Sequence, residues 1–356
     1  MTVGQESTLD IIKRKDTKAL SEHLEAGIND YLSSDVFKHY LNFIAKFHHY
    51  SSNNVRLLLA QNPKVRHVAG FHTWKKQERF VKKGETALYV FAPIITEKKD
   101  AAGKVIVAKN GEPEKDIRYI LRPVFDVSQT KGDKPVPELL YNIEDDLNDP
   151  EFFPILYKAL TGVIPETSVS IEAFPHSGNG YYLPDKNKIV LRKGLGQVMT
   201  VKTLLHEMAH ALLHTNSQAS FGDTTYRREE FEAESVAYVV SQHLGIDTSV
   251  YSFGYLASWT DNGHKLEELT QSLDVITKEA SQLIERIDQS LDKVYMLDAP
   301  QNKFEERLAK VKKQPPIKAR SPKKAYEKKE ATKEKISKKR KETSPSSTSK
   351  RFGTSG

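Results

Sequence analysis

The stretch LLHEMAHALLHT, Leu204 to Thr215, sets His206, Glu207, His210 and His214 into a run that is otherwise apolar. On a helix, Val201, Leu204, Leu205, Met208, Ala209, Leu212 and Leu213 cover nearly every side, and a helix apolar all round is a buried one. Buried titratable groups cost free energy unless they are partnered, so the fold must supply these four with partners. His206 and His210 are four apart and share one helix face. Two imidazoles so placed can meet one zinc ion, and Glu207, beside the first, lies where a carboxylate can take a proton from water.

A third ligand is expected from the next predicted helix, REEFEAESVAYVVSQHLG, which ends at Gly245. Glu230 opens it, with nineteen residues between it and His210, and is favoured for the role. Glu234, one turn on and on the same face, is the alternative, either as ligand or as acceptor for a ligand histidine. Glu229 reads as a first-turn acid favoured by the helix dipole. Glu232, about 200° around the helix from Glu230, is expected to face solvent. His214 reads as a histidine at a helix end and not a ligand. A third histidine six residues after His210 is excluded, because that position is Asn216.

The 356 residues contain no cysteine. Disulfides, thiolate zinc sites and thiol catalysis are therefore excluded, and a reducing, cytoplasmic setting is expected. No apolar stretch approaches twenty residues, so no membrane span is expected, and MTVGQESTLDIIKRKD does not read as a signal peptide. The net charge of +7 is unevenly spread: Pro315 to Gly356 carries fourteen Lys/Arg against four Glu, and residues 1–130 carry twenty-one basic against fifteen acidic groups. A basic front and a basic tail thus flank an acidic body.

The fold class expected is α+β. Residues 8–60 read as helical, with Leu20, Leu24, Ile28 and Leu32 repeating every four, and Asn62-Pro63 ends the run. ALYVFAPII and IRYILRPVFDV read as strands around a polar hairpin or loop. A nucleic-acid-binding domain over 8–130, a linker over 131–138 and a peptidase domain over 139–300 are expected. In the last, PEFFPILYKALTG is a helix, SVSIEAF and NKIVLRKG are strands, and HSGNGYYLPDKN is the turn region between them. The strand segment KIVL is expected to offer the edge along which an extended peptide lies. HKLEELTQSLDVITKEASQLIERIDQSL is a long amphipathic helix, and the Lys-rich tail over 313–356 reads as disordered.

Between Arg56 and Lys83 there are eight Lys/Arg and one acid, Glu78. VAGFHTWKKQERFVKKGE interleaves Phe71, His72, Trp74 and Phe80 with Lys75, Lys76, Arg79, Lys82 and Lys83. Aromatic faces with flexible cations between them suit single-stranded nucleic acid, whose bases stack while the cations meet phosphates. The other reading of the same residues is that Phe71, Trp74 and Phe80 are core and the cations a solvated face; if the segment binds DNA, Arg56, Trp74, Lys75, Lys76, Arg79, Lys82 and Lys83 are the contacts expected.

HEMAH, nineteen residues, then EFEAE is similar to the gluzincin class of zinc peptidases. LLHEMAHALLH with REEFEAESVAYVVSQHLGI resembles ImmA/IrrE-type metallopeptidase domains and the peptidase half of ArdC-type antirestriction proteins. LLLAQNPKVRHVAGFHTWKKQERFVKKGETALYVFAP resembles the ArdC-type N-terminal domain, and ESVAYVV with YSFGYLASW resembles LtrC-like proteins of conjugative elements. The resemblance implies a zincin-like domain with His206, His210 and Glu230 on zinc and Glu207 as base. It also implies a module for single-stranded DNA, an antirestriction role and a protein substrate that the sequence does not identify. The alternative is a non-proteolytic DNA-binding protein with a structural zinc site.

Overall fold

The first sixty residues are helical because the apolar repeat is interrupted by polar caps at the right places. Four helices result: α1 (Thr8–Arg14), α2 (Thr17–Ala26), α3 (Ser34–Lys46) and α4 (Ser52–Gln61). The side chains of Ser7, Asp16 and Ser51 accept the backbone N–H groups of Asp10, Ala19 and Asn54, so three of the four helices begin on a side-chain cap. The computed structural model describes residues 6–295 except 102, 134–135, 137–139, 149–150, 176, 221, 250, 252 and 254–265. The basic tail, and residues 296–300 of the expected peptidase domain, lie outside the described residues.

After α4 come β1 (Val68–Ala69), α5 (Phe71–Lys76), β2 (Phe80–Val81), β3 (Leu88–Glu97), β4 (Lys115–Asp126) and β5 (Thr130–Lys131). β3 and β4 form an antiparallel ribbon in register from Leu88↔Val124 to Glu97↔Lys115. β1 pairs with β4, and β2 pairs with β5. Two amides of α4 clip the ribbon to the helices. Asn54 donates to the Phe91 carbonyl (3.0 Å) and accepts its N–H (2.7 Å). Gln61 does the same at Tyr89, at 2.8 Å each way. The near end of the ribbon buries Val90 and Val124, whereas Ile94, Ile95, Ile117 and Tyr119 at its far end are exposed.

The second half runs α6 (Phe152–Thr161), β6 (Ser168–Glu172), β7 (Gly180–Leu183), β8 (Lys188–Arg192), α7 (Gln197–Leu213), α8 (Thr224–Leu244) and α9 (Leu266–Tyr295). Its sheet has the order β6-β8-β7, with β6 parallel and β7 antiparallel to β8. This corrects the expectation for KIVL. β8 is the central strand, and the edges are β6 and β7, the latter inside the segment expected to be a turn. Gly180 allows that edge to lie close on α7: a Cβ there would stand 2.7 Å from Thr203 Cγ2 and 3.0 Å from the Val190 carbonyl.

α7 packs against β7 and β8 on one side and α8 on the other. α8 in turn packs on α3, and α9 packs on α8, α6, α3 and α4. One apolar core therefore runs through both halves, including Phe37, Tyr40 and Phe43 of α3, Phe231 and Val239 of α8, and Leu273 and Ile276 of α9. Phe37 meets Phe231 and Phe253 with ring centroids at 5.1 and 5.0 Å. Tyr40 shares its hydroxyl with Ser52 of α4 (3.2 Å) and Thr277 of α9 (3.0 Å), which satisfies the polar end of a buried ring. α8 stops at Gly245 in the left-handed conformation (φ 71°), where a Cβ would also strike the Tyr141 carbonyl. Phe37→Ala is expected to cost about 3–5 kcal/mol, the usual penalty for an emptied aromatic site. Urea unfolding should show the first and second halves losing stability together; a transition shifted for one half alone would contradict a common core.

Candidate functional site

Three side chains from two helices converge between α7 and α8. His206 and His210, one turn apart on α7, place their Nε2 atoms 3.2 Å from each other. Glu230, in the second turn of α8, brings Oε2 to 3.6 Å from His206 Nε2 and Oε1 to 3.4 Å from His210 Nε2. These ligand atoms all lie within 4.8 Å of one another, and this is the one such group of three among the described residues. Two imidazole nitrogens and a carboxylate oxygen are a donor set that zinc takes in catalytic sites, with room left for water. The residues therefore fit the metal.

The electrostatics follow from packing charged groups into a partly dry site. Burial works against a charged His206, but its hydrogen bond to Glu230 and the charges of Glu207, Glu230 and Glu234 outweigh it and raise its pKa. Burial dominates at His210 and lowers its pKa. Burial also opposes a charged Glu230, yet the two imidazoles hold its carboxyl well below the usual range. Glu207 is buried, which pushes its pKa up to about 7, against the pull of His206 and of the Tyr182 backbone N–H that its carboxylate accepts. Because Tyr182 is on β7, this bond ties Glu207 to the sheet edge.

The four glutamates of α8 have separate surroundings. Glu229 accepts from Ser217 Oγ at 2.7 Å. Glu234 is half-buried, one turn beyond Glu230, and its charge acts on His206. Glu232 is not solvent-facing as expected: it is 7% exposed. The face of α8 opposite Glu230 is covered by α9, and there Glu232 Oε1 accepts from Ser272 Oγ (2.5 Å) while Oε2 lies 3.2 Å from His214 Nε2. His214 is also buried, its Nδ1 3.1 Å from His210 Nδ1. Tyr226, one turn before Glu230, hydrogen-bonds to that carboxylate and has its pKa pushed up to about 12, by burial first and then by Glu230. Its spacing of four from Glu230 was the signal that could have placed it at the site.

The basic front needs two corrections. Trp74 is 0% exposed, and its indole N–H donates to the Phe125 carbonyl at 2.8 Å, so it anchors α5 to β4 and presents no face to a base. Arg56 is 2% exposed and donates to Asn53 within the core, out of reach of phosphates. Lys75, Lys76, Lys82 and Lys83 are exposed. Arg79 is half-buried, bonded to Thr130 Oγ1 (2.9 Å) and the Gly132 carbonyl (3.0 Å), and Lys82 donates to the Ser128 carbonyl (2.8 Å). The exposed rings are Phe71 at 51% and Phe80 at 49%, with His72 beside them. One short helix can bury only one side, and Trp74 takes it, which leaves Phe71 at the helix start outside.

Residues 11–127 match the N-terminal domain of anti-restriction factor ArdC, and residues 163–271 match a zincin-like metallopeptidase. An uncharacterized protein of Bacillus anthracis is 29% identical over 316 residues, which cover 79% of this chain and 53% of that protein. The chain thus spans about half the length of the curated relative it matches. Crystal structures of the antirestriction ArdC protein from plasmid R388, one metal-free and one Mn(II)-bound, are similar at 20% and 18% identity. They cover 68% of this chain and 86% and 85% of theirs, with TM-scores of 0.45 and 0.41. The chain thus joins, in this order, an ArdC-like N-terminal domain and a zincin-like C-terminal domain.

Proposed function

We propose that this chain is a cytoplasmic zinc metallopeptidase carried on a module for single-stranded DNA, serving a mobile element against restriction. The observation that carries the first part is the convergence of His206, His210 and Glu230 beside a buried Glu207. His206, His210 and Glu230 would hold zinc, which when bound supplies Lewis acidity to a water and to the scissile carbonyl. Glu207 takes the proton from the attacking water and returns it to the leaving amine. The Tyr182 N–H keeps that carboxylate aimed, and β7 offers its free edge to an extended peptide. Tyr226 steadies Glu230 from the preceding turn. The protein substrate is set by features beyond this core of the site.

The match of residues 11–127 to an anti-restriction domain supports the second part, with 8–130 as the DNA-binding domain and 131–138 as its link to the peptidase. Phe71 and Phe80 replace Trp74 as the stacking faces, and Lys75, Lys76, Lys82 and Lys83, with Arg79 behind them, meet phosphates. The absence of cysteine accords with a reducing compartment, and no helix among the described residues is long and apolar enough to cross a membrane.

Isothermal titration should give one zinc per chain, falling to none in His206→Ala and His210→Ala. Glu207→Gln should keep zinc and lose peptide cleavage by about two to four orders of magnitude, the contribution of a positioned acid-base group. Retained cleavage in Glu207→Gln would remove the peptidase mechanism. If protection against restriction survives in that variant, the non-proteolytic reading of the same site is correct instead.

Fluorescence anisotropy with oligo-dT should show Phe71→Ala and Phe80→Ala each weakening binding by about 1–3 kcal/mol, the value of one base-aromatic stack. Lys75→Ala with Lys76→Ala should flatten the salt dependence, since fewer counterions are released. Equal affinity of these variants for DNA would place the interface elsewhere.

A further inference from the structure

Behind His210 stands a row of buried polar groups that the three ligands alone do not explain. His214 closes α7, Glu232 lies on α8 and Ser272 on α9, and all three are buried. The row is continuous: His210 Nδ1 to His214 Nδ1 is 3.1 Å, His214 Nε2 to Glu232 Oε2 is 3.2 Å, and Ser272 Oγ to Glu232 Oε1 is 2.5 Å. Of the two faces of His210, Nε2 meets His206 and Glu230, and Nδ1 meets His214.

If Glu232 is a carboxylate and each ring carries one hydrogen, valence leaves one arrangement of hydrogens along this row. A carboxylate can only accept, so both the Ser272 hydroxyl and His214 Nε2 must donate to Glu232. With one hydrogen on each ring, His214 then accepts at Nδ1, which places the hydrogen of His210 on Nδ1. His210 Nε2 is left as a bare lone pair directed at His206 and Glu230, which is what a metal ligand requires. The opposite direction fails twice. It would set the bare His214 Nε2 against a carboxylate with no proton between them, and it would put a hydrogen on the ligating nitrogen of His210.

We infer that Glu232, acting through His214 and anchored by Ser272, sets the tautomer and orientation of His210, so that these three are positioning residues for the metal. The inference rests on the metal-site reading above. It gives α9 a role in the centre, because the last member of the row belongs to that helix. It also explains why an acid is buried on the face of α8 turned away from the ligands.

The test uses the full chain with Glu232→Gln, His214→Phe and Ser272→Ala. Glutamine keeps the size of the side chain but can donate as well as accept, so it removes the directionality while the packing stays intact. Long-range ¹⁵N–¹H correlation of the metal-free protein should show His210 protonated at Nδ1 in the wild type. In Glu232→Gln it should show a mixture of tautomers, and in His214→Phe a shift towards Nε2–H. Zinc affinity, measured by competition with a chromophoric chelator, should fall about tenfold in Glu232→Gln and up to about a hundredfold in His214→Phe, the range for lost partners of ligand histidines. Ser272→Ala should have a smaller effect of the same sign. Thermal melting of each metal-free variant separates these effects from unfolding. An unchanged His210 tautomer and zinc affinity within twofold of wild type in Glu232→Gln and His214→Phe would overturn the inference. A wild type that takes up no zinc would overturn the metal reading instead, and the tautomer measurement would still decide the relay.

Discussion

The packing of α7 is the constraint on which the rest of the structure depends. β7 and β8 cover one side of this helix and α8 the other, so its polar groups meet protein where a surface helix would offer them water. A buried imidazole or carboxylate without a partner costs several kcal/mol, and the four titratable groups of the motif are accordingly matched. His206 and His210 meet Glu230, Glu207 meets the Tyr182 N–H, and His214 meets Glu232. The site is what remains when a buried helix must satisfy four titratable groups with the elements that bury it.

α8 is the element shared by both halves of the chain. One face carries Glu230 towards α7, a second carries Glu232 towards α9, and Phe231, between them in sequence, meets Phe37 of α3. Tyr238, two turns further on, donates its hydroxyl hydrogen to Asn42 Oδ1 of α3 at 3.0 Å. The helix that carries Glu230 is therefore held in place by the ArdC-like half as well as by the zincin-like half.

The local part of this arrangement was legible in the sequence. A spacing of four puts His206 and His210 on one face whatever the surroundings, and the caps and breakers near Asn62-Pro63 and Gly245 act within a few residues. What depended on distant partners was not legible. Glu232 read as exposed because a helix was given one buried face, whereas α8 has neighbours on several sides. β7 was hidden because four residues between turn-formers carry too little periodicity to stand out, and its pairing with β8 is what makes it a strand. Trp74 and Arg56 have the composition of a nucleic-acid contact, but composition does not say which of several aromatics and cations the core will take. The core took the largest ring, through its bond to Phe125, and left Phe71 and Phe80 outside.

The central claim is that these two helices build one metal centre from His206, His210 and Glu230. X-ray absorption at the zinc edge of the purified, zinc-loaded chain tests it most directly. The account predicts two imidazole nitrogens at about 2.0–2.1 Å and oxygen ligands at about 2.0–2.2 Å, with the oxygen shell altered in Glu230→Gln and no zinc signal retained by His210→Ala. A spectrum that is the same in Glu230→Gln, His210→Ala and the wild type would place zinc elsewhere and contradict the account.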